Sequence, residues 1–253
     1  RYRLVDELGV PDSDRRQRAL GLHLGPNRLL MYKRQVPEQA ADLSAFRTLF
    51  YESAGLCRDL GHPNVSAVLD YGDEGDGCFS VHEMVAGHPL DQVLSELVER
   101  GMRLPVNSAA YIAHQICSGL AFAHVLTDRS GNPLSPLHLD LNPSTILIGY
   151  DGSVRVLDAG LVPSARLTAS GVGMWGQVPY FPPERIKGET LDPRADVYAV
   201  GLMLFEILAL KSLFTGGSPE ESMADILAGP AGHPSDYAPD VPASLDRVVE
   251  QAM

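Results

Sequence analysis

Cysteine is scarce in this chain, and the few residues do not pair. Cys57, Cys78 and Cys117 are odd in number and scattered, which argues against a disulfide framework or a zinc site and points to a reducing, cytoplasmic compartment. The 8 histidines show no metal-ligand spacing. Long apolar runs are missing too: the longest, Ala199 to Leu210, is interrupted by Glu206 and is too short to span a bilayer. Basic charge is in deficit, with 20 Lys and Arg against 32 Asp and Glu. The resulting net charge of −12 argues against nucleic acid or an anionic membrane surface as a partner. Arg15-Arg16-Gln17-Arg18 does not offset it, because acids flank the cluster. No secretory leader is visible; the chain opens on Arg1 and stops at Met253, and it reads as a piece excised from a longer protein.

What remains is ordinary soluble composition, with 45% hydrophobic and 21% charged residues, in 253 residues that suffice for one large domain or two lobes. The organising stretch runs from Leu137 to Gly160. Ile146-Leu147-Ile148 and Val154-Arg155-Val156-Leu157 read as short strands around the turn Tyr150-Asp151-Gly152-Ser153. Such a hairpin brings Asp140 and Asp158 to one end, where two carboxylates can hold a metal ion or receive a proton. Taken alone, two aspartates beside turns are more often solvated turn residues.

The ordered residues around them change that reading. His138-Leu139-Asp140-Leu141-Asn142-Pro143-Ser144-Thr145 resembles the catalytic loop of protein kinases, and Asp158-Ala159-Gly160 resembles their metal-binding motif. The resemblance covers nearly the whole chain. The Asp128–Pro133 loop and Leu191–Asp196 point to a bacterial, myxobacterial-type serine/threonine subgroup. It implies an α+β, bilobal fold: a small, mostly antiparallel N-lobe with one regulatory helix over residues 1–85, and a larger, mainly helical C-lobe over 86–253 that stops before its last helix. Leu29 to Lys33 would be the third strand, with Lys33 pairing the α- and β-phosphates of ATP. Ala45 to Leu60 would be the regulatory helix, with Glu52 the partner of Lys33, although the spacing to His62-Pro63-Asn64 also permits Ser53 there. Val65–Asp70 and Cys78–Val85 follow as strands, joined by an acidic segment, Gly72 to Gly77, read as a solvated turn. Backbone groups of Glu83 and Val85 form the hinge that would bond adenine, and Leu147 would contact the cofactor. His82 takes the gatekeeper position, where a buried imidazole needs a partner.

Further along, Leu90 to Arg100 is amphipathic, and Asn107 or Ser108 is expected to cap a long helix through His124. His114 and His124 read as helix-packing residues. Gly176 to Glu184 resembles the substrate-docking turn and its anchor, with Gln177 in place of the usual threonine, and Asp196 opens an apolar helix whose carboxylate would bond the backbone around His138. Two more helices are expected near Glu220–Leu227 and Ser244–Met253.

The departures from the family pattern fall where phosphoryl transfer needs particular atoms. Of the glycine-rich loop only Gly9 survives; Pro11 lacks an amide proton, and Asp12 and Asp14 would face a triphosphate. Two like charges ~4 Å apart repel by roughly 4 kcal/mol near a protein surface. Met31 stands in place of a small residue above the base, and its adaptable thioether can fill part of that pocket. Asn142 replaces the lysine that steadies the γ-phosphate, and Thr145 replaces the asparagine that binds the second magnesium, leaving Asp158 for the first. Leu139 replaces the arginine that receives an activation-loop phosphate. Ala159 replaces a packed phenylalanine, a loss of ~3–5 kcal/mol unless neighbours fill in.

Three functions remain open. The first is a pseudokinase that binds or scaffolds protein partners, holding ATP and Mg2+ weakly or not at all. The second is a weak serine/threonine kinase working through Lys33, Asp140 and Asp158, with Asn142 in a vestigial catalytic position. The third is the same fold reused for another phosphoryl or nucleotidyl transfer.

Overall fold

The computed structural model describes residues 2–7, 16–23, 29–36, 43–58, 61–127, 130–131, 134, 136–157, 177–214, 216–229 and 232–253. Apolar alternation builds the first layer. Strands β1 (Tyr2–Glu7), β2 (Arg16–His23), β3 (Leu29–Gln35), β4 (Val68–Glu74) and β5 (Gly77–Glu83) form an antiparallel sheet in the order β1-β2-β3-β5-β4. β2 has no counterpart among the expected strands. Arg16, Arg18 and Gly21 blur its period, and it is held by pairing on both sides, to β1 and to β3.

The register of β3 on β5 divides the sheet into two faces. Met31 opposes His82 and Lys33 opposes Ser80, so these four side chains share one face. Leu30, Tyr32 and Val81 pack with Phe79 on the other. Helix α1 (Leu43–Arg58) begins earlier than expected, and residues 59–60 at its expected end lie outside the described residues; its Phe50, Ala54 and Cys57 join Val68 and Cys78 in the main core. Because Cys78 shares a face with Ser80 and His82, α1 covers the side of the sheet that carries Lys33.

The acidic segment after β4 corrects the sequence reading. Asp73 and Glu74 belong to the strand, and only Gly75 and Asp76 turn, with Gly75 at φ 59°. The charges are paired rather than merely solvated: Arg47 meets Asp73 at 3.1 Å, and Arg34 reaches both Glu74, at 3.5 Å, and Asp76.

Past the hinge, β6 (Gly87–Pro89), β7 (Ile146–Gly149) and β8 (Val154–Val156) form a second antiparallel sheet, with β7 and β8 making the expected hairpin. Helices α2 (Leu90–Glu99), α3 (Val106–His124), α4 (Pro183–Ile186), α5 (Arg194–Ala209), α6 (Pro219–Ala228) and α7 (Ala243–Ala252) complete the fold. Neither Asn107 nor Ser108 caps α3. Pro105 holds the cap position at φ −55°, ψ 142°, and its carbonyl accepts the amides of Ser108 and Ala109 at 2.8 and 3.1 Å. Its locked φ sets the entry, so those two residues already lie inside the first turn.

α5 is buried on nearly all sides, from Ala195 to Ala209, and packs between α3 and α7 as the axis of the larger half. Its apolar length lies within protein. No helix among the described residues is long and apolar enough to cross a membrane.

Gly87 marks the crossing from the first sheet to the second. A Cβ there would lie 2.1 Å from the carbonyl oxygen of Ile148, a backbone atom that cannot yield without breaking β6 from β7. Gly87→Ala is therefore expected to lose about 1–3 kcal/mol, the usual cost of overpacking, as measured by urea unfolding.

Candidate active site

The loop from Leu137 to Thr145 is built around one buried carboxylate. Asp196, 1% exposed in the first turn of α5, accepts the amide of His138 at Oδ2 and the amide of Leu139 at Oδ1, each at 2.9 Å. His124 at the end of α3 donates its Nε2–H to Oδ2 at 2.7 Å. Asp196 thus holds the backbone around His138, as the sequence implies, and His124 helps to hold Asp196. Leu139 sits at φ 56°, a left-handed conformation that costs a residue with a side chain about 1–2 kcal/mol.

The imidazole of His138 passes the arrangement on. Its Nε2–H donates to the carbonyl of Leu157 at 2.6 Å, and its Nδ1 accepts the amide of Asp140 at 3.3 Å. Asp140 is half-buried at the edge of a small cleft lined by Leu141, Gln177, Tyr180, Phe181 and Pro182 among others. The loop and the docking turn therefore share one cavity wall.

Asn142 and Thr145 are turned inward. The Asn142 carboxamide donates to the Asp140 carbonyl at 2.8 Å and accepts from the Ser144 amide at 2.9 Å and hydroxyl at 2.6 Å. The Thr145 hydroxyl donates to the Asn142 carbonyl at 2.9 Å and accepts the Asn142 amide at 3.2 Å. Both are buried, at 3% and 2% exposure. This is a reciprocal cap on the short 3-10 turn Pro143–Thr145. It commits the atoms that would steady a phosphate or ligate a metal.

The sheet-side residues are placed as follows. Lys33, Ser80 and His82 are buried on the shared face of β3 and β5, and His82 finds its partner in Ser80, at 3.0 Å. Met31 forms one buried cluster with Leu147 and Leu157, and Val85 packs against it. Apolar side chains thus span the gap between the first sheet and the β7–β8 hairpin. Glu83 ends β5, with Val85 just beyond it in the hinge. Gly9, Asp158, Ala159 and the side chain of Glu52 lie outside the described residues, as does the segment 161–176.

No group of three or more His, Cys, Asp or Glu among the described residues is arranged to hold a metal ion, and Thr145 is committed to its own loop.

Two contacts escape a reading of the sequence. Tyr180 donates its hydroxyl to Glu206, the one acid in the apolar run of α5. Burial raises the carboxyl of Glu206 above its usual range, and the hydrogen bond from Tyr180 opposes that shift. Arg185 donates to the carbonyl of Leu139 at 2.5 Å. The signal for both was a charged residue beside an apolar anchor.

The family model for the protein kinase domain matches residues 25–242. This chain belongs to the protein kinase domain family. Among its relatives, the tyrosine-protein kinase MasK of Myxococcus xanthus is 29% identical over 232 residues, covering 90% of this chain and 36% of the relative. The serine/threonine-protein kinase PknL of Mycobacterium tuberculosis is 33% identical over 207 residues, covering 81% of this chain and 49% of the relative. The chain thus spans less than half the length of either. The crystal structure of the PknI kinase domain from Mycobacterium tuberculosis matches with a TM-score of 0.74 at 25% identity, over 99% of this chain and 87% of that one. The bilobal α+β kinase fold is thereby established.

Asp196→Ala orphans two buried amides, each worth about 1–3 kcal/mol, so urea unfolding should show a loss of roughly 2–6 kcal/mol. For Glu206 the folded carboxyl binds its proton more tightly than the unfolded one. Its contribution is fully present below its ordinary value near 4.5 and is lost as pH rises through the raised folded value. Glu206→Gln keeps an acceptor for Tyr180 without the buried charge. The variant should therefore gain on the wild type as pH rises toward 7, and that gain should vanish on acidification.

Proposed function

We propose that this chain is a pseudokinase: a kinase-fold module that binds protein partners in the cytoplasm with little or no phosphoryl transfer. Its lobes are read as residues 1–85 and 86–253. The observation that supports this reading is the buried cluster of Met31, Leu147 and Leu157 with Val85: by the family's pattern these residues would face adenine, and here they pack against one another. The inward cap of Asn142 and Thr145 supports it, because both side chains spend their polar atoms on the loop itself. Catalysis of this type is mostly positioning and charge neutralisation, so losing several of those groups removes most of the mechanism.

A weak protein kinase is the second reading. It is favoured by the loop geometry, since Asp140 is held at the cleft edge through His138 and Asp196, with Lys33 retained on the sheet. The relatives named as tyrosine and serine/threonine kinases make either hydroxyl a candidate acceptor.

Thermal unfolding with ATP, with and without Mg2+ or Mn2+, separates the two. A ligand at about 100 times its Kd stabilises the native state by roughly 2.7 kcal/mol; the pseudokinase reading expects no such shift in the wild type. Met31→Ala should lose stability by about 2–5 kcal/mol and acquire an ATP-dependent shift. A metal-dependent shift in the wild type, with phosphate incorporation abolished by Asp140→Ala, would make the weak kinase the correct reading.

A further inference from the structure

Leu139 occupies the position where the family carries a loop arginine, yet a guanidinium is close by. The peptide of this strained residue is gripped from both sides. Its N–H donates to Asp196 at 2.9 Å, and its carbonyl receives Nη1–H of Arg185 at 2.5 Å. Arg185 lies on α4, directly after the Glu184 anchor, and its guanidinium stands 3.7 Å over the ring of Phe181. Phe181 in turn lines the cleft beside Asp140.

We infer that Arg185 is the positioning residue of the Asp140 loop: clamped between the Leu139 carbonyl and the Phe181 ring, its cation ties the loop to the docking turn and substitutes from outside for the arginine that the loop lacks. The substitution is in cis and needs no phosphate. Control by loop phosphorylation through position 139 is then replaced by a permanent contact within the larger half. The inference stands apart from the question of phosphoryl transfer, since a scaffold and a weak enzyme both need this wall of the cleft fixed.

Electrostatics agree with the geometry. Burial lowers the Arg185 guanidinium to about 10, against the opposing charges of Asp140 and Asp196, so it remains a cation at neutral pH. Arginine suits the place because its planar fork can stack on a ring and donate to a carbonyl at once.

A role in packing alone would need only the aliphatic stem over Phe181, which methionine supplies. Amide exchange of His138, Leu139 and Asp140, followed by NMR in the 253-residue chain, distinguishes the two. In Arg185→Met these amides should exchange about tenfold faster, the factor that a charge-assisted hydrogen bond supplies. Arg185→Lys, which keeps charge and donor, should restore most of the protection. Arg194→Met, which removes an exposed arginine paired with Asp192, should change nothing at the loop. Wild-type rates in Arg185→Met would overturn the inference. So would equal loss in the Lys and Met variants, or acceleration spread uniformly over α3 and α7. Should Arg185→Met fail to fold, Arg185→Gln takes its place: faster loop exchange supports the clamp, and wild-type rates overturn it.

Discussion

One carboxylate with two oxygens and three donors sets the geometry of the larger half. Asp196 is buried at the start of the most apolar helix among the described residues, where an unsatisfied charge would be expensive. It is satisfied by the amides of His138 and Leu139 and by the ring of His124. That requirement fixes α3, α5 and the Asp140 loop relative to one another. It also sustains the left-handed backbone at Leu139, since both amides must point at the same side chain.

From this point the constraint spreads through groups that each have a single way to pair. The His138 ring bridges to the carbonyl of Leu157, and the Leu157 amide returns to the Thr145 carbonyl at 2.8 Å. Asn142 and Thr145 close the other end. The loop is therefore a sealed hydrogen-bond circuit, with its polar atoms directed inward and Asp140 left at the cleft edge. The sheet half follows a different logic, in which a polar row of Lys33, Ser80 and His82 lies buried beside an apolar plug.

Much of this was legible in the sequence because it rests on motifs of fixed order. The β7–β8 hairpin follows from residue types at set spacings, and the Asp196 contact to the backbone of His138, 58 residues away, follows from the resemblance to the family. β2 was not legible, because Arg16, Arg18 and Gly21 obscure its alternation and its stability comes from neighbours on both sides. The pairing of the acidic segment was hidden for a related reason. Arg34 and Arg47 are far from it in sequence and reach it only once the sheet and α1 are assembled. Arg185 and Glu206 are the same lesson within the larger half: tertiary proximity gives a lone charge its task. Where the start of α3 was misread, the backbone lock of Pro105 outweighed the side-chain preference of Asn107 and Ser108.

The cluster of Met31, Leu147 and Leu157 bears on how the molecule senses its surroundings. Its members are carried by the chain itself, so the contact that joins the two halves is not diluted away. A free compound seeking that space competes with a tethered occupant, and its apparent affinity falls by the fraction of time the cluster stands open. On the proposed pseudokinase reading, contact between the lobes is in this respect inherited rather than regulated.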